Sequence, residues 1–321
     1  MIQLIENAKK NPDRIAIRSN KYAYTYQQLL QDSESVAATL LNGKADLQEE
    51  RIVFLVSPSF EYVQLQWGIW RAGGIAVPLC TKHPFQSIEY VINDTKASVV
   101  ICSKEYEELL NPFKKREDIR FMLTTEIKAA QCNLPDIAMN RRAMILYTSG
   151  TTGSPKGVVS RHQNIEAQIT SLVTSWQWSK EDHILNILPL HHVHGIVNIL
   201  SCALWTGACC EFLPKFNADK VFDILKGGAV NIFMAVPTIY YKLIAQYNNY
   251  PPETQKEIST ALNKFRFMVS GSAALPISVL ETWRTISGHT LLERYGMTEM
   301  GMAISNPYKG CLLYTSPSPR D

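Results

Sequence analysis

Residues 147–159 read YTSGTTGSPKGVV and follow directly on the apolar run AMIL. The hydroxyls of Thr148, Ser149, Thr151 and Thr152 and the ammonium of Lys156 are donors that phosphate oxygens accept. Gly150 and Gly153 free the backbone between them, so that main-chain N–H groups can converge on one point. The pattern predicts a strand over AMILYT, a glycine loop, and a helix over SRHQNIEAQITSLVTSW whose start adds partial positive charge at the loop. A phosphate is the guest such a loop suits. The P-loop pattern GxxxxGK[ST] is excluded, because Gly150 is followed by Gly153 and Lys156 lies between Pro155 and Gly157. A flexible Ser/Thr/Gly linker would rarely combine a strand before it with a Pro-Lys-Gly exit.

Three later segments carry further chemistry. LPLHHVHG (188–195) groups His191, His192 and His194; imidazole is a common zinc ligand, but no fourth ligand stands at suitable spacing, so a metal site is not expected here. VSGSAALP (269–276) supplies the small residues Gly271, Ser272 and Ala273, which let a ligand pass close to the backbone. ERYGMTE (293–299) holds Glu293, Arg294, Tyr295, Gly296, Met297, Thr298 and Glu299. Alone, Tyr295 reads as a core aromatic and Glu299 as a surface charge. Lys264 and Arg266 read as solvated charges near a strand start.

The elements that must position these groups alternate. YQQLLQDSESVAATLLNG (26–43) has apolar positions at helical spacing and ends on a glycine, while RIVFLV (51–56) and SVVICS (98–103) are short β-branched runs of buried-strand type. Between them, the stretch from Glu61 reads as a helix stopped by Gly73 and Gly74 and followed by another short strand. The same alternation resumes after residue 143: strands over HILNILPL, CCEFLP and NIFMAV, helices between them and over PTIYYKLIAQY. The expected fold class is α/β, two subdomains with largely parallel sheets flanked by helices. They are expected to span 1–142 and 143–310, with 111–142 as the joint.

Composition narrows the function classes. With 321 residues, 46% hydrophobic and 19% charged, the chain has ample material for a large core. Thirty-two basic residues against 29 acidic ones, net +3, form no tract that would follow a nucleic-acid backbone. The seven cysteines form no CxxC pair and fit a reducing, intracellular compartment. The most apolar stretch, 195–213, is interrupted by Asn198, Ser201 and Thr206 and reads as a buried core helix rather than a membrane span. The opening MIQLIENAKKNPDRIAI lacks the pattern of a signal or transit peptide.

Taken together, YTSGTTGSPKGV, LPLHHVHG, VSGSAALP and ERYGMTE, in this order, resemble the signature motifs of the acyl-adenylate-forming (AMP-binding) enzymes, which include acyl-CoA synthetases, peptide-synthetase adenylation domains and firefly luciferase. The wording HHVHGIVN, MAVPTIY and GHTLLERYGMTE is most similar to the malonyl-CoA synthetase branch. The resemblance covers the chain from NPDRIAI to about residue 310. It implies a two-step reaction: a carboxylate attacks the α-phosphorus of ATP to give acyl-AMP and pyrophosphate, and the thiol of coenzyme A then displaces AMP. It places the loop from Thr148 to Lys156 on the β- and γ-phosphates, Tyr295 on the adenine, Thr298 on a phosphate, Glu299 on a magnesium ion, and His192 beside the acid. The nucleotide site would further include Gly271, Ser272, Ala273, Glu293, Gly296 and Met297. The second carboxylate of malonate or methylmalonate needs a cation, for which Arg294 and His194 are the candidates, with an Arg294 pair to Glu293 or Glu299 as the alternative. Another short-chain or dicarboxylic acyl-CoA synthetase, or a non-catalytic nucleotide-binding protein, are the other readings. Small molecules (ATP, the acid, coenzyme A) are the only partners implied. Some members of the branch are mitochondrial, so the matrix is the expected location, with the cytoplasm as the alternative.

The end of the chain departs from that pattern. Family members continue past YGMTE into a mobile C-terminal domain carrying a catalytic lysine. Here the sequence becomes CLLYTSPSPRD, without periodicity. Residues 311–321 are therefore expected to be a non-native tail, and the chain a truncated, inactive form.

Overall fold

The computed structural model describes residues 1–19, 21–149 and 153–309. Fourteen strands among them are β1 (Ile15–Ser19), β2 (Tyr22–Thr25), β3 (Arg51–Leu55), β4 (Ile75–Pro78), β5 (Val99–Cys102), β6 (Arg120–Leu123), β7 (Arg142–Thr148), β8 (Lys156–Arg161), β9 (His183–Asn186), β10 (Cys209–Phe212), β11 (Ile232–Ala235), β12 (Phe267–Gly271), β13 (Leu292–Met297) and β14 (Gly301–Ser305). They form an eight-stranded sheet, β14-β13-β12-β11-β9-β10-β1-β2, and a six-stranded sheet, β6-β5-β3-β4-β7-β8. Both are parallel except at their ends, where β2, β14 and β8 run antiparallel to their neighbours.

Each inner strand is apolar on both faces, as parallel strands covered by helices must be. In β3, Ile52 and Phe54 face one core while Val53 and Leu55 face another; in β11, Ile232 and Met234 oppose Phe233 and Ala235 in the same way. The central core lies between the two sheets and takes in the helices Tyr26–Leu41 and Phe60–Arg71. These two helices pack so closely that a Cβ on Gly68 would lie 2.4 Å from Val36 Cβ. The first starts in a reciprocal cap: Gln28 N–H donates to Thr25 Oγ1, and Thr25 N–H donates to Gln28 Oε1. It stops at Leu41, with Asn42 and Gly43 in left-handed conformation. Helices Ala218–Lys226, Pro237–Asn248, Pro252–Leu262 and Ile277–Ser287 cover the outer face of the larger sheet, and Phe85–Thr95 covers the smaller one. The order is helix, sheet, helix, sheet, helix.

Three expectations are corrected here. The sheets do not divide at residue 142: β1 and β2 join the larger sheet through β10, while β7 and β8 close the smaller one. Long-range parallel pairing of β1 with β10 leaves no mark in local sequence pattern. Second, the segment after the glycine loop begins as β8, not as a helix. Leu146 pairs with Val158 and Tyr147 with Gly157, so β7 and β8 are antiparallel neighbours, and the helix starts only at His162. Val158 and Val159 are β-branched and favour the extended form. Third, Arg266 is not a free surface charge but half of a largely buried ion pair. Its Nε donates to Asp182 Oδ1 at 2.7 Å and its Nη2 to Oδ2 at 2.9 Å, and Asp182 is 2% exposed. Within the apolar stretch, the helical part ends at Thr206, Gly207 (φ +82°) turns the chain, and Cys209–Phe212 is β10.

Candidate active site

In an open parallel sheet, ligands bind beyond the carboxyl ends of the strands, where the strand order reverses. The reversal here is at β9, whose successor β10 lies on one side and whose later neighbour β11 on the other. The loop leaving β9 carries His191, His192 and His194, the end of β12 carries Gly271 and Ser272, and the β13–β14 hairpin carries Thr298 and Glu299. Three motifs far apart in sequence therefore meet at one rim.

Arg294, His194 and Ser272 form one cluster. His194 opens a π-helix, His194–Ser201, a rare winding that recurs at functional sites. Its Nδ1 lies 3.2 Å from Ser272 Oγ, and the same oxygen accepts from Arg294 Nη2 at 3.2 Å. Ser272 sits at φ +70°, an uncommon conformation for a residue with a side chain. His194 is 4% exposed, and burial, reinforced by Arg294 and His192, holds its pKa well below the usual imidazole value. Neither His194 Nε2 nor Arg294 Nε has a hydrogen-bond partner among the described residues, and Arg294 has no carboxylate within ion-pair distance there. The alternative pairing of Arg294 with Glu293 or Glu299 is thus not what the structure contains. Burial lowers the Arg294 pKa to about 10, which leaves it a cation at neutral pH. Burial raises the Glu293 pKa.

Gly271 is small for a different reason from the one expected. A Cβ there would lie 2.7 Å from Arg294 Cγ and Nε. The space above Gly271 is filled by the arginine, not left open for a ligand. Ala273 is exposed beside Ser272.

Thr298 and Glu299 line a cavity of about 410 Å³ with Val159 and Ser160 of β8, Asn164 and Gln168 of the helix His162–Ser175, and Val193 and Val197. The hairpin needs its glycines: a Cβ on Gly296 would lie 2.2 Å from Gly301 O, and Gly301 is at φ +69°. The Glu299 carboxylate is exposed and makes no hydrogen bond or ion pair among the described residues. Such an uncommitted hard oxygen suits magnesium, which takes few protein carboxylates and keeps phosphate and water oxygens. Tyr295 is 60% exposed and Met297 half-exposed, so neither is a core residue.

On the β7–β8 hairpin, Thr148 pairs with Lys156, which is exposed at the start of β8, and Ser149 is exposed. Gly150, Thr151 and Thr152 lie outside the described residues, as do Gly310 and the tail 311–321. Gly153, at φ +106°, faces open space. The positive charge beside the loop is therefore Lys156 at the start of β8, not a helix start. The hairpin is braced from the helix Phe85–Thr95: Tyr90 Oη donates to Pro155 O at 3.0 Å, and its ring meets that of Tyr147 edge-on at 6.3 Å. His192 is exposed at the rim, its ring 4.1 Å from that of His191. Lys156, Thr148, Tyr295 and His192 do not line the cavity that holds Thr298 and Glu299.

Sequence reasoning missed Tyr90, Asn164 and Gln168. A signal existed for the last two: Asn164, Gln168 and Ser171 recur at i, i+4 and i+7, a polar stripe beside the buried one of His162, Ile165, Ile169 and Leu172.

A family model described as AMP-binding enzyme matches residues 4–319. The chain belongs to the AMP-binding enzyme family. It is 47% identical over 313 residues to the mitochondrial malonate–CoA ligase ACSF3 of Homo sapiens, covering 92% of this chain and 54% of that protein. It is 35% identical to the malonate–CoA ligase of Arabidopsis thaliana, covering 94% of this chain and 56% of that one. Among solved structures, the ATP-bound MatB of Rhodopseudomonas palustris aligns with a TM-score of 0.85 at 28% identity, over 97% of this chain and 63% of that one. A malonyl-CoA ligase with methylmalonyl-CoA and AMP bound aligns with a TM-score of 0.84 at 27% identity, over 98% of this chain and 64% of that one. The chain spans about half the length of the curated AMP-binding relatives it matches. Its fold is that of the N-terminal domain of acyl-adenylate-forming enzymes.

Proposed function

We propose that the protein takes part in the ATP-dependent ligation of malonate or methylmalonate to coenzyme A, through a malonyl-AMP intermediate and with release of pyrophosphate. The observation that carries this reading is the half-buried Arg294, which has no carboxylate partner among the described residues and shares Ser272 Oγ with the buried His194. A cation held in this way favours an acid with a second carboxylate, because an alkyl tail would leave it unpaired. The likeness to malonate–CoA ligases supports the same choice.

The chemistry needs little covalent participation from the protein. A carboxylate approaching a polyanionic nucleotide is repelled, so the site must neutralise phosphate oxygens and hold the reactants in line. Lys156 would attract the β- and γ-phosphates, Thr298 would donate to a phosphate oxygen, and Tyr295 would offer its exposed ring to the adenine. Thr148, Ser149, Gly150, Thr151, Thr152 and Gly153 would form the rest of the phosphate turn, and His192 would border the acid. Glu299 would hold magnesium, which supplies charge neutralisation on the phosphates. Coenzyme A would be the acceptor, and the names of the animal relatives favour the mitochondrion.

ATP–pyrophosphate exchange measured with malonate, methylmalonate, acetate and octanoate tests the reading. Malonate and methylmalonate are expected to be used best. Preference for octanoate would move the assignment to another acyl-CoA synthetase, and ATP binding without exchange for any acid would leave a non-catalytic nucleotide-binding protein.

A further inference from the structure

The structure assigns a positioning role to Gln168, in that its amide holds the hairpin bearing Thr298 and Glu299 in register with the helix His162–Ser175. The Oε1 atom accepts from Met302 N–H at 2.7 Å, and Nε2 donates to Met302 O at 3.4 Å. β14 is an edge strand, so the N–H and C=O of Met302 that point away from β13 would otherwise lack a strand partner. The Gln168 amide stands where a ninth strand would bond, at the residue that follows the hairpin turn and its glycine. The fit is close: a Cβ on Gly301 would lie 2.0 Å from Gln168 Oε1. A second tie from the far end of the same helix, Trp176 Nε1 to Ser305 Oγ at 3.2 Å, anchors the rest of β14. Because the helix follows β8 directly, Gln168 couples the β7–β8 hairpin to the hairpin of Thr298 and Glu299 across the cavity that both line.

This inference rests on the reading in which Thr298 and Glu299 face the nucleotide. Gln168 lines the same cavity as Thr298 and Glu299, and the role assigned to it is to act through the hairpin. Removing the amide lets the turn drift, and misplacement of about 1 Å can cost on the order of a hundredfold in rate.

The test measures ATP binding by calorimetry, and exchange kinetics with malonate, for the wild type, Gln168→Leu, Gly301→Ala and the double variant, at a temperature where all four are folded. Each single change is expected to weaken ATP binding and lower kcat by about tenfold or more, while KM for malonate stays within about twofold. The double variant is expected to be no worse than the worse single one, since both break one contact. A Gln168→Leu protein that binds ATP and turns over like the wild type, or losses that multiply in the double variant, would overturn the positioning role alone. A wild type that binds no ATP would overturn the nucleotide site and the inference with it.

Discussion

Arg294 is a cation whose nearest described hydrogen-bond partner is a hydroxyl, and its environment sets what it can recognise. A charge-assisted bond to a second carboxylate contributes roughly 1.5–3 kcal/mol. Arg294→Ala is therefore expected to lower kcat/KM for malonate by about 10- to 100-fold while changing acetate much less. Equal losses for both acids in exchange assays would show that Arg294 serves the fold rather than the choice of acid. Gly271→Ala should act in the same direction, because its Cβ would push the arginine off its perch. A variant with unchanged malonate preference would speak against that packing. The identity of these residues was legible in the motifs, but their mutual arrangement was not. Nothing in VSGSAALP says that the space over Gly271 belongs to a side chain 23 positions further on.

At the scale of elements, the β7–β8 hairpin that carries Lys156 is braced by the neighbouring helix Phe85–Thr95 through Tyr90. Tyr90→Phe removes one hydrogen bond to Pro155 O, a net contribution of about 1 kcal/mol, and is expected to raise KM for ATP by about fivefold with little change in KM for malonate. A steady-state titration of each substrate checks this; a shift in malonate alone would place the brace elsewhere. The strands and helices themselves were readable from apolar periodicity, as β3, β5 and the helix Tyr26–Leu41 illustrate. The hairpin was not, because KGVVSR is too short to separate period two from period 3.6 next to a strong helical pattern. Sheet membership also escaped, since β1 meets β10 across nearly two hundred residues.

For the whole molecule, buried neutral histidines link folding to pH. His162 is buried against Trp70, with ring centroids 5.7 Å apart, and burial lowers its pKa from 6.5 to about 4. The folded state thus resists a proton that the unfolded chain accepts. The stabilisation is complete above pH 6.5 and is lost as pH falls towards 4, a change on the order of 3 kcal/mol for this one group. His191, lowered to about 3, and His194 act in the same direction. Thermal midpoints measured from pH 7 to 4 should fall for the wild type and fall less steeply for His162→Leu. Parallel curves would remove His162 from the linkage.

Acyl-adenylate chemistry is decided by where the carboxylate oxygen goes. With malonate labelled by ¹⁸O in both carboxylates, ATP, magnesium and coenzyme A, attack at the α-phosphorus must leave one labelled oxygen in AMP for each thioester formed, and none in pyrophosphate. Mass spectrometry of the two products reads this directly. Label in AMP alone is the predicted result; label in a phosphate released from the γ-position, or malonyl-CoA formed without labelled AMP, would contradict acyl-adenylate chemistry at this site.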